Sequence, residues 1–486
     1  MNGNELKLAD VLTVEDDPAL LEFRCAHTAV LLWPYVRTMF LRTVMSDLMY
    51  RTPLVELRKS AAPPLGRALS TMGRSVLNNA AYRLNGRCRA PVCIMTDGIS
   101  NRLVEGRWFN RLSDYFALAM PAQTLAIEDH FDWQWPTPRH FPRVMYHAPR
   151  QACNVVAGRL LVRERHRRRA KELVQLVSQR AQTHLGWEIG SGRARLLATT
   201  LARKLAAMPL QYRAYASMLK RVSPRILLIN MGCYGPSATL VAAAREQDVK
   251  TAEYQHGAVS SGHDAYNLAP ALRDSQDYRR TLPDHFLAFG AWWAEQINMP
   301  VSKIALGNPH REAQLATLQR PAHAGRDILL LGDGIEADKY LELARQLVPR
   351  VAGRDLRVVF RPHPIERPAV EAAFGSGTDG VAIDPNPDIY ASLAAAHAVV
   401  SEQSSGLFEA VGLASRVFVW NTAKSRFGLP SHPFRTADSA DHLAALLDDP
   451  HAGTMAREAT AAIWATDWRA NYEQFLRTCG VEPQRS

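Results

Sequence analysis

Two short segments in the C-terminal third of the sequence combine residue types that bind anions. The first is Arg361-Pro362-His363-Pro364, directly after the apolar run Leu356–Phe360. An arginine offers a phosphate a fixed, always-charged fork of N–H donors, and a histidine can donate to a phosphate oxygen. Prolines on both sides of the histidine stiffen the turn and end the strand. The segment predicts a phosphate contact through Arg361 and His363, supported by Pro364; an ordinary solvated turn is the alternative.

The second segment is Ser401-Glu402-Gln403-Ser404-Ser405-Gly406, between an apolar strand and an apolar helix. Backbone N–H groups, hydroxyls and the helix dipole together can make an anion site at a helix start. Gly406 would let a ligand approach the backbone closely. Glu409, one turn later, could accept hydrogen bonds from ribose hydroxyls. Ser404 and Ser405 are thus predicted phosphate ligands, although serines also cap helices without binding anything.

A third segment, Tyr254-Gln255-His256-Gly257, closes an earlier apolar strand. A histidine at a strand end facing a cleft can act as a general base or contact a phosphate. His256 is therefore a catalytic candidate, with Gln255 and Gly257 as supporting residues. His263 and Asp264 follow on the same loop and could orient His256 or replace it.

Carboxylates follow two putative strands of the N-terminal region. Asp97 comes after Pro91–Met95, and Glu128 with Asp129 comes after Thr124–Ile127. Each could activate a hydroxyl as a general base, although exposed loop acids are common. We take Asp97 and Asp129 as further catalytic candidates and Glu128 as a supporting one. Asn308, in a Gly-Asn-Pro turn after another short strand, is also a supporting candidate.

No metal signature is present in the sequence. It lacks a DxD triad near a strand end, an HExxH helix and a P-loop lysine motif, and Gly332-Asp333-Gly334 is too short for a dinucleotide fingerprint. The six cysteines are scattered without a CxxC pair, which favours reduced structural thiols. We expect neither a metal nor another resident cofactor.

Strands alternating with helices must position these segments. Continuous apolar runs of strand length recur from Pro224 onwards and again from Ile328, which predicts parallel sheets in an α/β fold. Two successive Rossmann-like domains with helical N-terminal additions would face each other across a cleft, with ligands at the strand ends. Their predicted extents are 1–318 and 326–455, joined by a linker over Leu318–Gly325. A C-terminal helix over 456–480 would pack back across the domains.

The net charge of +11 predicts an anionic partner or a solubility role. Much of the excess lies in Arg159–Lys171, for which a solvated helix face and peripheral contact with an anionic membrane are both open. No aromatic-interleaved module accompanies it, so we do not expect nucleic acid binding. No run reaches about 18 apolar residues, and the N-terminus does not read as a signal peptide. We expect a cytoplasmic protein, with peripheral inner-membrane contact open.

The order of these turns resembles a known group of enzymes. A QHG turn, a GNP turn, an RPHP turn and a strand-SS-G-x-x-E helix occur here in that order, over roughly Arg225–Thr422. This resembles GT-B glycosyltransferases of bacterial capsule and lipopolysaccharide synthesis that use cytidine-nucleotide donors, including Kdo transferases, sialyltransferases and CDP-glycerol glycerophosphotransferases. In these families an HP motif and a paired-serine motif bind the nucleotide and its phosphate, and the histidine of a His-Gly turn is implicated in catalysis.

The resemblance implies metal-independent transfer of a sugar from a nucleotide donor, a CMP-sugar such as CMP-Kdo or CMP-sialic acid, to a glycan or lipid-linked acceptor. Domain 326–455 would then bind the donor, and domain 1–318 would bind the acceptor. A UDP-sugar donor and a sugar-nucleotide 2-epimerase of the same fold remain open. So does a non-catalytic polysaccharide-binding protein with a degenerate nucleotide site. Thr96-Asp97-Gly98 only partly matches the acidic motif of the sialyltransferases.

Overall fold

The computed structural model describes residues 5–50, without the side chain of residue 50, together with 65–319 and 325–484. Within these ranges the chain forms two seven-stranded sheets and one two-stranded hairpin. The predicted α/β class, with two Rossmann-like sheets and helical N-terminal additions, is confirmed. Most of the predicted linker Leu318–Gly325 lies outside the described residues. None of the described helices is both long enough and apolar enough to cross a membrane.

The first sheet has the strand order β5-β4-β1-β6-β7-β8-β9, and all its pairings are parallel. The central strand β6 reads Ile-Leu-Leu-Ile and is buried throughout, as expected for a parallel sheet covered on both faces. Strands β2 and β3 form the separate hairpin. The strand bounds are β1 Val92–Asp97, β2 Asn101–Val104, β3 Arg107–Asn110, β4 Thr124–Asp129, β5 Val144–Tyr146, β6 Ile226–Ile229, β7 Lys250–Tyr254, β8 His285–Ala288 and β9 Ser302–Ala305.

Helices surround this sheet. The basic segment predicted as one helix is interrupted at residues 161–163, so it is divided between the end of α5 and the start of α6. The helix bounds are α1 Leu8–Leu12, α2 Arg37–Met45, α3 Leu65–Leu84, α4 Asp114–Ala119, α5 Ala148–Leu160, α6 Glu164–Leu185, α7 Ser191–Val222, α8 Ala238–Arg245, α9 Pro270–Arg273, α10 Gln276–Arg279, α11 Ala291–Glu295 and α12 Pro309–Thr317.

The second sheet has the order β12-β13-β11-β10-β14-β15-β16, parallel except for the edge pair β12–β13. Its buried strands are again continuous apolar runs, for example Ile328 to Leu331. The strand bounds are β10 Asp327–Leu331, β11 Arg357–Arg361, β12 Gly377–Thr378, β13 Val381–Ile383, β14 Ala396–Ser401, β15 Arg416–Trp420 and β16 Arg435–Ala437. The helix bounds are α13 Ala337–Arg350, α14 Arg367–Phe374, α15 Ile389–Ala395, α16 Gly406–Glu409, α17 Ala423–Gly428, α18 Ala440–Asp448, α19 Arg457–Ile463 and α20 Trp468–Thr478.

The C-terminal segment is two helices, whereas the sequence predicted one helix over 456–480. The chain leaves helical geometry between α19 and α20, and Asp467 adopts a left-handed conformation as the N-cap of α20. Its carboxylate accepts from the backbone N–H of Ala470. Helix α20 then packs on the first sheet, where Tyr472 and Phe475 join the core around Val92. The chain therefore returns from the second sheet to the first.

An aromatic cluster joins the two sheets' domains. The Trp293 ring lies 4.3 Å, between centroids, from Phe408, and the Trp293 indole donates to the backbone oxygen of Ile463. The Trp464 indole in turn donates to the backbone oxygen of Phe408. These rings are buried and belong to one continuous core that includes both sheets. The orientation of the domains is thus fixed by hydrophobic burial at one end of the cleft.

A close backbone contact joins the domains near the cleft. A Cβ built on Gly262 would lie 2.0 Å from the backbone oxygen of Phe427, and the Ser260 hydroxyl donates to the oxygen of Gly428 at 2.5 Å. We expect Gly262→Ala to lower the free energy of unfolding by about 1–3 kcal/mol, because the domains must shift to admit the methyl group. Gly257→Ala is the matched control, since its Cβ meets nothing within 4 Å. Equal denaturation midpoints for both variants would contradict this contact.

Candidate functional site

A cavity of about 330 Å³ lies between the two domains. From the second domain it is lined by His363, Ser404 and Ser405, which the sequence predicted as phosphate ligands. From the first domain it is lined by His263 and Asp264. The structure thus brings together strand-end residues that are about 100 or more positions apart in the sequence. It places them in one interdomain cleft, at the carboxyl ends of both sheets.

The His363 ring is held in a defined orientation. Its Nδ1 accepts from the backbone N–H of Ile365 at 3.3 Å, which favours the tautomer with the proton on Nε2. Its own backbone N–H donates to the Glu366 carboxylate at 2.8 Å. Gly334 packs against the ring, since a Cβ there would lie 2.9 Å from Nδ1. A histidine that presents an Nε2–H can donate to a phosphate oxygen. Pro364 is exposed and limits the backbone of this turn.

The paired serines lie at the cleft, but the helix after them is shorter than predicted. Helix α16 has four residues, so the helix dipole contributes little to anion binding. The Ser404 hydroxyl accepts from the backbone N–H of Gly406 at 3.2 Å, whereas Ser405 is exposed and makes no side-chain cap bond. Gly406 does not serve ligand approach as predicted. It is buried, and a Cβ there would lie 2.6 Å from Leu331.

Arg361 does not hold a phosphate as predicted. Its guanidinium forms an ion pair with Asp384 and donates to the backbone oxygen of Asn386 at 2.8 Å and to the Ser392 hydroxyl at 3.1 Å. The arginine side chain is only 11% exposed and that of Asp384 only 4%. These contacts and one from Nη2 to the backbone oxygen of Pro387 engage both terminal nitrogens of the guanidinium within the protein. Arg361 therefore stabilises the loop after β13.

A buried lysine supports the same strand ends. Lys424 contacts the carboxylates of Asp333, Glu336 and Glu402, which follow β10 and β14. Burial lowers the pKa of Lys424, but the Asp333 and Glu402 carboxylates outweigh that effect, so the net shift is upward. The Thr422 hydroxyl also donates to Glu402 at 2.6 Å. The network fixes the turns that carry Asp333 and Ser404 into the cavity.

His256 is not among the residues that line the interdomain cavity, but it lies near His263, which is, and next to a buried carboxyl group. Its Nδ1 is 3.7 Å from Oε1 of Glu253, and its side chain is 21% exposed. Burial lowers the pKa of His256 to about 4, and the nearby charges of Arg42 and Arg111 act in the same direction. The imidazole is therefore neutral near pH 7, the form that a general base requires.

Glu253 is held by two donors. The backbone N–H of Cys233 donates to Oε2 at 2.6 Å, and the Tyr266 hydroxyl donates to Oε1 at 2.7 Å. Burial raises the pKa of Glu253 to about 7. Gln255 fixes the turn that carries His256, because its amide donates to the backbone oxygen of Gly257 and accepts from the N–H of Phe289. Gln255 is thus a positioning residue.

His263 and Asp264 do not replace His256. His263 accepts from the backbone N–H of Ala265 through Nδ1 at 3.1 Å, and its Nε2 lies 3.3 Å from the Tyr234 hydroxyl. Burial lowers the pKa of His263 to about 4. The Asp264 carboxylate accepts two hydrogen bonds from Arg42, at 3.1 Å from Nε and 3.2 Å from Nη2. With both groups engaged, this loop forms a wall of the cleft.

Arg111 is a cation that sequence reasoning missed and that acts on titratable groups of both domains. It follows β3 in no recognisable motif, is exposed, and forms no salt bridge with another described residue. Its charge lowers the pKa of His256 and of His310 in the first domain, although burial is the larger cause in both. It also acts on Glu409 in the second domain. Arg111 thus acts electrostatically on both the predicted base and the predicted ribose contact.

Glu409 faces the other domain, within reach of these cations. Burial raises its pKa to about 7, even though the guanidinium groups of Arg111 and Arg311 oppose the rise. Near pH 7 the group is therefore divided between its carboxylate and carboxylic acid forms. Either form can hydrogen bond to a hydroxyl, as the ribose prediction requires.

The three N-terminal acids have different surroundings. Glu128 is fully buried and forms a two-pronged salt bridge with Arg139, both bonds at 2.9 Å, so it cannot serve as a supporting site residue. The Asp97 carboxylate accepts from the backbone N–H of Ile99 and from Asn230. Burial raises the pKa of Asp97. Asp97 and Asp129 do not line the interdomain cavity but a second one.

Asp129 holds a histidine that the sequence did not single out. Its Oδ1 lies 2.9 Å from Nδ1 of His147, and its Oδ2 accepts from the amide of Gln151 at 2.8 Å. His147 follows β5, and its ring stacks on Tyr215. Asp129 is therefore a positioning residue rather than the base itself.

Asn308 is a helix cap rather than a site residue. Its side chain accepts from the backbone N–H of Arg311 at 3.0 Å, at the start of α12. A capping role of this kind explains an asparagine before a proline at the first helical position. In the part of the chain that the structure describes, no group of three or more His, Cys, Asp or Glu side chains is arranged to hold a metal ion.

Comparisons with known proteins give structural similarity without sequence similarity. No family model and no curated protein matches the chain. Among solved structures, the calicheamicin glycosyltransferase CalG4 is 11% identical with a TM-score of 0.45, covering 80% of this chain and 98% of its own. Staphylococcus aureus MnaA with UDP is 13% identical with a TM-score of 0.43, covering 81% and 99%. The Methanocaldococcus jannaschii UDP-GlcNAc 2-epimerase is 9% identical with a TM-score of 0.40, covering 80% and 99%.

Proposed function

We propose that this chain is a GT-B-type glycosyltransferase that moves a sugar from a nucleotide donor to a glycan or lipid-linked acceptor. The observation that carries the proposal is the interdomain cavity, where His363 and the paired serines face the loop that follows β7. Strand-end histidine and serine donors in a cleft between two parallel α/β sheets suit a ligand with a phosphate group.

We take the donor to be a CMP-sugar such as CMP-Kdo, used in bacterial capsule or lipopolysaccharide synthesis. The support is the order of the His-Gly, His-Pro and Ser-Ser turns, at His256, His363 and Ser404 in this sequence. The enzyme would work in the cytoplasm, in peripheral contact with the inner membrane. The basic segment Arg159–Lys171 supports that contact, since several of its arginines are exposed.

The proposed reaction uses groups from both domains. His363, Ser404 and Ser405 bind the donor phosphate, and Arg111 stabilises the negative charge that grows on it as the sugar–phosphate bond breaks. The acceptor oxygen forms the new bond to the anomeric carbon, and its proton passes to the neutral imidazole of His256. The leaving nucleotide keeps the electron pair of the broken bond. Closing the cleft around the donor would limit its hydrolysis by water.

Calorimetric titration with CMP, CDP and UDP tests the proposal. We expect CMP to bind, and we expect Arg111→Ala to raise its Kd by about 10- to 100-fold, because a charge-assisted hydrogen bond contributes about 1.5–3 kcal/mol. Arg107→Ala is the matched control, an exposed arginine on the same hairpin.

The possible outcomes separate the alternatives. Absence of binding to every nucleotide would rule out the transferase. UDP binding without CMP binding would overturn the choice of donor and favour the 2-epimerase or a UDP-sugar transferase. Nucleotide binding with no release of CMP or UDP from any nucleotide sugar would favour the non-catalytic protein.

A further inference from the structure

A second cavity, of about 630 Å³, lies between the ends of β1, β4 and β6 and the helices α5 and α7. One end carries the polar groups of Asp97 and His147, and the other carries Arg159, Arg203 and Lys204. In the first sheet, Met95 of β1 is paired with Ile229 of β6, and Ile229 is paired with Glu253 of β7. Two strand spacings, about 10 Å, therefore separate the strand end before Asp97 from the one before His256.

The cationic end of this cavity has no matching anion among the described residues. The Lys204 ammonium lies 4.6 Å from the centroid of the Tyr35 ring, and burial alone lowers the pKa of Lys204 to about 8. Neither Arg159 nor Arg203 forms a salt bridge within the described part of the chain. Lys204 is thus a buried ammonium with no carboxylate partner among the described residues, so a bound anion would offset the cost of its desolvation.

A close helix crossing brings these cations together. A Cβ built on Gly158 would lie 2.7 Å from the backbone oxygen of Arg203, so α5 and α7 meet at van der Waals distance there. The glycine allows Arg159, the next residue, to lie beside Arg203. The backbone crossing therefore brings the helix segments that carry Arg159 and Arg203 close together.

A groove of about 750 Å³ continues from the cationic end. It lies between α6 and α7, and it shares Arg159 and Arg203 with the cavity. Much of its wall is aliphatic, including Val162, Val174 and Ile189. Apolar side chains are also exposed on the adjoining ends of α5 and α7, with Leu160 77% and Leu196 60% exposed. Exposed aliphatic residues beside arginines suit a ligand that is apolar at one end and anionic next to it.

His147 marks the opposite end of the cavity as a polar subsite. Its side chain is 5% exposed, with Nδ1 held by Asp129 at 2.9 Å. Its Nε2 is buried and has no hydrogen-bond partner among the described residues. With the ring proton on Nδ1, Nε2 can accept a hydrogen bond from a ligand hydroxyl.

We infer that the cavity and the groove together form one site for a phosphate-bearing lipid acceptor. The phosphate contacts Lys204, Arg159 and Arg203, and the hydrocarbon chain occupies the groove between α6 and α7. The polar head group extends towards His147 and Asp97. This inference rests on the proposed transferase function, for which it names the acceptor class.

Titration with decyl phosphate tests this site in the full chain. We expect binding by the wild type and at least a tenfold higher Kd for Lys204→Met, with no change for Lys220→Met, an exposed lysine on the same helix. Thr199→Trp, at an exposed position lining the groove, is expected to weaken binding by filling the space for the chain. Circular dichroism would verify that each variant is folded.

Two further ligands identify what the site recognises. Decyl maltoside should bind at least tenfold more weakly than decyl phosphate, since it lacks the anion, and inorganic phosphate should bind more weakly because it lacks the chain. If decyl maltoside or inorganic phosphate bound as tightly as decyl phosphate, the lipid phosphate site would be overturned. Wild-type affinity for decyl phosphate in both Lys204→Met and Thr199→Trp would overturn it as well. Decyl phosphate binding without nucleotide binding would instead refute only the transferase.

Discussion

Replacing His363 by alanine is expected to lower turnover of the nucleotide sugar by about 10²–10³-fold while leaving the fold intact. The imidazole lies in the interdomain cavity with Ser404 and Ser405, and Ile365 orients it through Nδ1. In other active sites, removing one hydrogen-bond donor that points at developing negative charge lowers turnover by about this factor. Release of CMP from CMP-Kdo, followed with and without acceptor, measures the loss.

The control for this substitution is His442→Ala. His442 belongs to the same domain and pairs with Asp438 on the surface, at 2.9 Å. It should retain wild-type turnover. Full activity in His363→Ala would remove the donor-site assignment, and a matching loss of activity in both variants would point to a general defect of the domain.

The strand ends that carry the site were predictable from sequence because buried parallel strands are continuous apolar runs. Ile226–Ile229 and Ile328–Leu331 have that pattern, and the turns after neighbouring strands must meet at one edge. His363 and Ser404 could therefore be expected at one edge of the second sheet, and both line the interdomain cavity. The confirmed α/β class follows from the same pattern.

Side-chain direction was not predictable in the same way. Glu128 and Asp129 are adjacent at the end of β4, and successive residues in a strand point to opposite faces. Glu128 therefore pairs with Arg139 in the interior, whereas Asp129 lines a cavity. The sequence alone does not show which of the two carboxylates points which way. The partner of Arg361 was equally hidden, since Asp384 becomes its neighbour only because β13 pairs with β11.

Residues outside motifs were missed for a different reason. Arg111 follows a short hairpin strand, and its charge acts on Glu409 in the other domain. His147 follows a three-residue strand and acquires a role only beside Asp129. Both positions depend on long-range packing, which local apolar patterns do not encode.

His256→Ala is expected to lower turnover by about 10²–10⁴-fold without changing the Kd for the nucleotide, because a general base acts on the acceptor rather than on the bound phosphate. The matched control in the same domain is His184→Ala, an exposed histidine at the end of α6. A comparable loss of nucleotide affinity in His256→Ala would assign the residue to donor binding instead.

The protonation state of His256 supplies an independent test of the base. Burial beside His263 and Arg42 lowers its pKa to about 4, so a histidine resonance that disappears in His256→Ala should titrate near pH 4 rather than near 6.5. A pKa lowered in this way leaves the imidazole neutral at pH 7, where it can take the acceptor proton. Added imidazole should then restore part of the turnover of His256→Ala, since the truncated side chain leaves room for a free base in the cleft. A structural role alone would give no such recovery, so failure of imidazole rescue together with a resonance titrating near 6.5 would reject His256 as the base.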